Sequence, residues 1–331
     1  MRPAAIAVKA TVKRLLRPRY YFDAIFHRVT ARDLHVFFTR LGVQPGMLIY
    51  LQSSYNALGH FSGGPRGLLD MLIRILGPEG TLVLPTFPSS LSMVDVVASR
   101  ALFDVRETAA SIGLLPEVFR TMPGVVRSIH PTHPVSAVGA MAEEIVAGHE
   151  RCLTPQGQGS PFDTLYQRGA HVLRIGTRSN PLGHTMQEMT GWPNQFMAGE
   201  PAVLDCVDRN GRRLAVATRV YRPLVPYIMF IEDPVNGQAV ESDIRDFPIV
   251  SHEAMRTGRV NGRELDVLLE MRAGFEVSGA LHSLPLPYSD EVCDLWPLRP
   301  VMDFSVAEAR RVIAKFRDRY ELADLEALCS A

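Results

Sequence analysis

The sequence predicts an α/β protein, a layered α/β/α domain with a mostly central sheet, followed by a β-rich C-terminal elaboration. Three observations predict it. Between residues 45 and 190, short apolar runs bounded by turn residues alternate with stretches whose apolar positions recur at helical spacing. After Phe196 that alternation stops, and a hairpin pattern built around Asn210-Gly211 takes over. The chain then closes on an amphipathic stretch from Asp303 to Cys329. Strands alternating with helices build layered α/β domains, because each helix covers one face of a sheet.

Taken in order, residues 31–42 (ARDLHVFFTRLG) have helical apolar spacing and stop at a glycine. MLIYLQSS is an apolar strand ending in polar residues. GGPRGLLDMLIRILG opens on a glycine pair and places Pro65 in the first helical turn, where its missing N–H costs nothing. GTLVLPTF is a second buried strand, SIGLLPEVFRTMPG a short helix, and AVGAMAEEIVAGH a further helix with glycine near each end. HVLRIG is a third strand. AVLDCVDRNGRRLAVATRVYRP reads as a hairpin with Asn210-Gly211 in a type I′ turn. The region beyond it has little periodicity until FEVSGALHSLPLP and the closing helix. Internal repeats and low-complexity tracts are absent from the sequence.

Composition narrows the function. With 331 residues and 47% hydrophobic content, the chain can bury a large core. Lys+Arg and Asp+Glu both number 35, so the basic surplus of a nucleic-acid binder is missing. Cys152, Cys206, Cys293 and Cys329 are scattered, without zinc-ligand spacing, which suits a reducing cytoplasm. No apolar run is long enough to span a bilayer. Residues 1–19 form a basic arm that lacks the apolar core of a signal peptide, and a short membrane-surface helix is its alternative reading. Residues 20–331 read as a single domain, with 20–196 as its core and 197–331 as an elaboration.

Three stretches hold residues suited to chemistry. In LQSSYNALGHFSGGPRGLL, a strand ends at Ser53-Ser54 and a helix begins after Gly63-Gly64. Bare N–H groups at such a helix start suit a phosphate, although glycine before a helix is common in tight connections. In GVVRSIHPTHPVSAVG, Arg127 and Ser128 are phosphate-binding types. His130 and His133 there read by default as buried, hydrogen-bonded structural residues.

In NPLGHTMQE, His184 has three readings. If Asn180 caps a helix that starts at Pro181, His184 and Glu188 share a face, and Glu188 orients a general base. If Thr185 is the cap, TMQE is a capping box and Glu188 binds backbone. The third reading is a metal ligand, for which two ligands are too few. Local sequence leaves the choice open, with the capping box slightly ahead.

In chain order, LGVQPGMLIYLQSSYNALG, SGGPRGLLDMLIRILGPEGTLVLPTF, SIGLLPEVFRTMPGVVRSIHPTHPVSAVGAMAEEIVAGH, GQGSPFDTLYQRGAHVLRIG and the His184 segment resemble the aminoglycoside 3-N-acetyltransferase family over roughly residues 40–190. The family's catalytic segment reads roughly Thr-x-x-His-x-x-Glu. His184 fills the histidine place, while Pro181 and Gln187 stand where threonine and glutamate are expected, and Glu188 follows Gln187. Gln52-Ser53-Ser54 stands for His-Ser-Ser.

The resemblance implies the family's α/β fold and an acyl-CoA-dependent N-acyltransferase. Its acceptor would be the primary amine of an amino sugar, an aminoglycoside or another small amine. The co-substrate would be acetyl-CoA or another acyl-CoA, without a metal. Ser53, Ser54, Gly63, Gly64, Arg127 and Ser128 would hold the CoA, with backbone N–H groups near Ser53 or Ser54 as oxyanion donors. His184 would be the base, with Glu188 or Gln187 orienting its ring and direct attack in a ternary complex. The other expected partners are few: no nucleic acid, no membrane span, and a homodimer left open. Two rivals remain: a non-catalytic CoA- or nucleotide-binding relative, and a metal-dependent hydrolase using His130, His133, His184 and Glu188.

Overall fold

A computed structural model describes residues 28–177, 182–191, 196–197, 199–221, 230–232, 239–241, 282–286, 291–304, 306–307 and 310. In chain order the first elements are β1 (Arg28–Val29), α1 (Ala31–Leu41), β2 (Leu48–Ser53), β3 (His60–Phe61), α2 (Gly64–Leu76) and β4 (Thr81–Pro85). Next come α3 (Met93–Ser99), β5 (Phe103–Asp104), α4 (Leu114–Arg120), β6 (Val126–Arg127), β7 (Val135–Gly139) and α5 (Ala142–Val146). Then follow α6 (Pro161–Gln167), β8 (His171–Ile175), α7 (Gly183–Thr190), β9 (Ala202–Val207) and β10 (Arg213–Thr218). Strands β11 (Phe230–Glu232), β12 (Ala239–Glu241), β13 (His282–Pro285) and β14 (Val292–Pro297) complete the series, and residues 298–304 are helical. Among the described residues no helix is long and apolar enough to cross a membrane.

The main sheet has seven strands in the order β13-β14-β8-β2-β4-β7-β6. Only β8, β2 and β4 run parallel to one another; the remaining pairings are antiparallel. Side chains alternate faces along each strand. Ile49 and Leu51 of β2 therefore join Leu82, Leu84, Leu173 and Ile175 under α1, α2 and α4, packed on Phe38, Leu68, Leu72 and Phe119. Tyr50 joins Val83, Val172 and Trp296 on the opposite face, covered by Ile145, Phe162, Leu182, Met186 and Val301. The result is the expected three layers. Each fully buried Leu or Phe contributes about 1.5–3 kcal/mol.

Local chemistry sets the ends of the elements. Thr30 caps α1 in a reciprocal box with Asp33: the Asp33 N–H donates to Thr30 Oγ1 at 3.2 Å, and the Thr30 N–H to Asp33 Oδ2 at 2.9 Å. Two expectations need correction. AVGAMAEEIVAGH is not one helix, because Ala137–Gly139 finish β7 against β4, only Ala142–Val146 are α-helical, and His149 opens a separate 3-10 turn. The β9–β10 turn is not type I′, which needs positive φ at both central residues. Gly211 alone has it here, at +83°, and its N–H bonds Asp208 O at 3.0 Å. That is a type I turn closed by a glycine bulge. β5 pairs with β9 beside this hairpin to make a separate three-stranded sheet. The basic arm, Asn180, Pro181 and most of the closing helix lie outside the described residues.

Candidate active site

Strands β2, β4 and β8 bring Ser53, Pro85 and Ile175 to one edge of the sheet. Antiparallel β7 begins there too, with Val135 opposite Pro85. The far end of α2 meets the start of β2, where the Gly46 N–H bonds Leu76 O at 2.8 Å. Helix α2 therefore runs back along the sheet from a start at the carboxyl edge. Open α/β sheets bind ligands outside the carboxyl ends of their parallel strands. Ser53, Ser54, Gly64, Thr86, Ser128, His130, His133 and α7 all belong to this edge.

Helix α7 spans Gly183–Thr190, so His184 stands in its first turn and Thr185 is inside it, not capping it. His184 Nδ1 lies 2.8 Å from Gln187 Oε1. An amide oxygen only accepts, so Nδ1 carries the proton and the ring's lone pair sits on Nε2. Gln187, not Glu188, orients the imidazole directly. The Glu188 carboxylate instead receives the Tyr221 hydroxyl, the Gln156 N–H at 3.2 Å and the Thr154 side chain. Burial raises its pKa above the ordinary carboxylate value despite those donors. A methyl on Gly157 would lie 2.3 Å from Glu188 Oε2, so the carboxylate is boxed in. Thr185 donates to Gln156 Oε1 at 2.8 Å, which ties the same side of α7 to residues 154–157. The capping-box reading fails with it, since neither Thr185 nor Glu188 serves the helix N-terminus.

Tyr221 and Phe196 were not singled out by sequence reasoning. The Tyr221 ring stacks on His184 at 4.1 Å between centroids and 10° between planes, and Phe196 stacks beside it at 5.1 Å. A bridge pairing Phe196 with Tyr221 fixes the two backbones. His133 meets Tyr221 edge-on at 5.8 Å and Phe87 at 4.7 Å.

Behind this platform, His130 stacks on His149 at 4.4 Å. His149 Nε2 donates to Pro155 O at 2.9 Å, so Nδ1 accepts from Ser128 Oγ, also at 2.9 Å. Burial lowers the His149 pKa to about 4 and holds His130 and His133 well below the ordinary imidazole value. His130 Nδ1 accepts from the N–H groups of Thr132 and His133. His130 keeps the expected buried, bonded character, whereas His133 is only half-buried and pairs its Nδ1 with Thr132 Oγ1 at 2.8 Å. Among the described residues no group of three or more His, Cys, Asp or Glu side chains could hold a metal.

Two residues assigned to CoA are committed elsewhere. Arg127 is buried and gives its donors to Thr86 O at 2.5 Å, Thr108 O at 2.5 Å and Thr86 Oγ1 at 3.2 Å. Its guanidinium also lies 4.9 Å over the Phe103 ring. Burial lowers its pKa to about 9, so it stays charged at neutral pH. It braces the small sheet against the large one, because a fork of planar donors suits converging carbonyls. Ser128 is buried, spent on His149, and accepts the Val135 N–H at 2.9 Å.

The Ser54 N–H donates to Ile175 O at 2.8 Å and so cannot serve an oxyanion. The glycine pair divides its duties. A methyl at Gly63 would sit 2.5 Å from the Phe61 ring, so Gly63 is a packing glycine. Gly64 has φ +66° and open space where a Cβ would be, at the start of a helix without a side-chain cap. Of the two, Gly64 is the one positioned for a close ligand.

The site and fold define a three-layer α/β protein with a histidine on a helix at the carboxyl edge of its sheet. The family model described as Aminoglycoside 3-N-acetyltransferase matches residues 51–265, and the chain belongs to that family. It is 31% identical over 159 residues to aminoglycoside N(3)-acetyltransferase VII of Streptomyces paromomycinus, covering 44% of this chain and 54% of that protein. It is 28% identical over 255 residues to aminoglycoside N(3)-acetyltransferase VIII of Streptomyces fradiae, covering 69% and 82%. The chain thus aligns with about half the length of the first of these relatives. Among solved structures, the apoenzyme of aminoglycoside acetyltransferase AAC(3)-IVa matches with TM-score 0.60 and 19% identity, over 86% of this chain and 89% of that one. YokD from Bacillus subtilis matches with TM-score 0.60 and 20% identity, over 86% and 100%. AAC-IIIb, solved with CoASH, matches with TM-score 0.58 and 19% identity, over 86% and 97%. These likenesses establish the fold.

Proposed function

We propose that the chain is an acyl-CoA-dependent N-acyltransferase acting on the primary amine of an amino sugar, an aminoglycoside or another small amine. The observation that carries the reading is His184, whose Nδ1–H is fixed on Gln187 Oε1 so that its lone pair falls on Nε2, on the edge that also presents the open helix start at Gly64. The matched relatives are named aminoglycoside N(3)-acetyltransferases, and one structural neighbour was solved with CoASH. The arrangement at Gly64 fits a CoA thioester: a Cβ there meets nothing, and no side chain caps the first turn of α2. Ser53, Ser54 and Gly64 would line its course.

When bound, the thioester supplies an activated acyl carbon. His184 accepts at Nε2 the proton that the ammonium must lose before its nitrogen can attack. Gln187 holds the tautomer through the transfer. Attack is direct, in a ternary complex: the described cysteines Cys152, Cys206 and Cys293 are all buried and free, and burial lifts their thiols above the ordinary value, which disfavours a thiolate nucleophile. Residues 20–331 are read as one acyltransferase domain working in the cytoplasm.

The test is thiol release from acetyl-CoA with a panel of amines, in the parent protein and in His184→Ala. Amine-dependent release that disappears in His184→Ala, with CoA binding kept in both, supports the reading. Release that survives the substitution, or no release with any amine, refutes it.

A further inference from the structure

A neutral amide at Nδ1 orients an imidazole but brings no charge to stabilise it once it is protonated. The described elements set Gln187 of the same helix and Tyr221 after the small hairpin against the His184 ring, and His133 before β7 lies near enough that a charge on His184 disfavours protonation of His133. Burial keeps His133 neutral. His130 and His149 lie one layer further back and are likewise held neutral. Among the described residues Glu188 is the carboxylate of this cluster, and its oxygens are taken by Tyr221, Gln156 and Thr154.

The geometry links the two. His184 and Glu188 are four residues apart on one face of α7, where side chains would otherwise meet. Tyr221 fills that interval: its ring lies flat on the imidazole at 4.1 Å and 10°, and its hydroxyl is donated to Glu188 Oε1. A phenol that donates to a carboxylate has a more electron-rich ring. An electron-rich ring face attracts a cation stacked on it, more strongly where water is excluded.

Resting on the base assignment above, we propose that Tyr221 is a positioning residue for His184, and that Glu188 stabilises the protonated imidazole through the Tyr221 ring instead of touching it. The supports of the ring agree with this role. Phe196 backs Tyr221 at 5.1 Å, the Met197 N–H bonds Val220 O at 2.7 Å, and the Arg219 N–H bonds Leu153 O at 2.7 Å. The ring is thus held from its far face, from its own backbone, and from the loop that also grips Glu188. The platform acts on the imidazole ring, so its effect falls on proton uptake and not on CoA.

The experiment follows the His184 imidazole by NMR titration and, in parallel, the acid limb of the kcat/KM–pH profile. Its variants are Tyr221→Phe, Tyr221→Leu, Glu188→Gln and the double variant Tyr221→Phe/Glu188→Gln. Removing the stack lowers the pKa of His184, so the titration and the acid limb move down by about half a unit to one unit in Tyr221→Leu. Tyr221→Phe keeps the stack and loses the carboxylate, and gives a smaller downward shift. Glu188→Gln matches Tyr221→Phe, and the double variant adds nothing to either. If the imidazole titrates unchanged in Tyr221→Phe and Glu188→Gln, or if their shifts simply add, the relay is wrong. If the titration shifts while His184→Ala keeps full turnover, the coupling stands and the base assignment falls. The two failures are thereby told apart, and Tyr221→Phe serves where Tyr221→Leu does not fold.

Discussion

The start of α2 and the working face of α7 lie on the same edge of the sheet and are made in opposite ways. At Gly64 the chain offers backbone and empty space, with a φ of +66° and nothing within reach of a Cβ. At His184 it offers side chains locked by other side chains: Gln187, Tyr221, Phe196 and, through Tyr221, Glu188. A surface that must admit a bulky co-substrate benefits from having no side chain. A base that must accept a proton in one orientation benefits from having every neighbour fixed. One region can be damaged by adding atoms, the other by removing them.

That contrast breaks most readily at His184, the proposed base. His184→Ala should lower kcat by about 10²–10⁴-fold while CoA affinity measured by calorimetry stays unchanged. A parallel loss of CoA affinity would mean that the two regions are not separate.

The next largest effect is on pH. The folded-state pKa of His149 is lowered to about 4 from 6.5. Its contribution to stability is therefore present above about pH 6.5 and is lost as pH falls toward about 4, an effect of about 3 kcal/mol. Melting curves from pH 7 to 4 should show that slope, and His149→Gln should flatten it. His130 and His133 act in the same direction.

Arg127→Ala should destabilise by about 2–3 kcal/mol, since Thr86 O and Thr108 O lose a charged donor in a buried setting. CoA affinity should not change. A weaker CoA constant with an unaltered melting temperature would return Arg127 to the phosphate.

Gly64→Val should cost about 1–2 kcal/mol in stability from its left-handed backbone, and should also weaken CoA binding. Unchanged affinity in a folded variant would remove this turn from the site. The smallest effect is expected at Thr185→Ala, about 1 kcal/mol for the hydrogen bond to Gln156. Helix content by circular dichroism should hold, because Thr185 is not a cap.

Much of the core was legible because its signals are local. The apolar runs at MLIYLQSS, GTLVLPTF and HVLRIG became the three parallel strands, and the helix after Gly63-Gly64 began where the glycines placed it. His184 was legible as a candidate, but its partners were not. Helical spacing offers Gln187 and Glu188 equally, and only Tyr221, 33 residues beyond Glu188, decides between them by engaging the latter. Arg127 and Ser128 misled for a related reason: residue type suits both phosphate and carbonyl, and burial, which sequence does not report, chose the carbonyls and His149. Strands β13 and β14 were hidden as well, since a strand that completes a sheet from the far end of the chain has no local mark of its neighbour.

The position of β14 has a consequence in time. It lies in the sheet between β13 and β8, and Cys293 to Pro297 pair residue by residue with Ile175 to His171. Ile175 and Pro297 are 122 residues apart (297 − 175). At a ribosomal rate of about 5–20 residues per second, β8 waits about 6–24 seconds for its partner. Through that interval the strand leading toward α7 has an open edge, where another chain's strand could pair. Folding of this edge therefore depends on whatever shields it, and the yield of folded protein should follow the rate at which the last third of the chain is made.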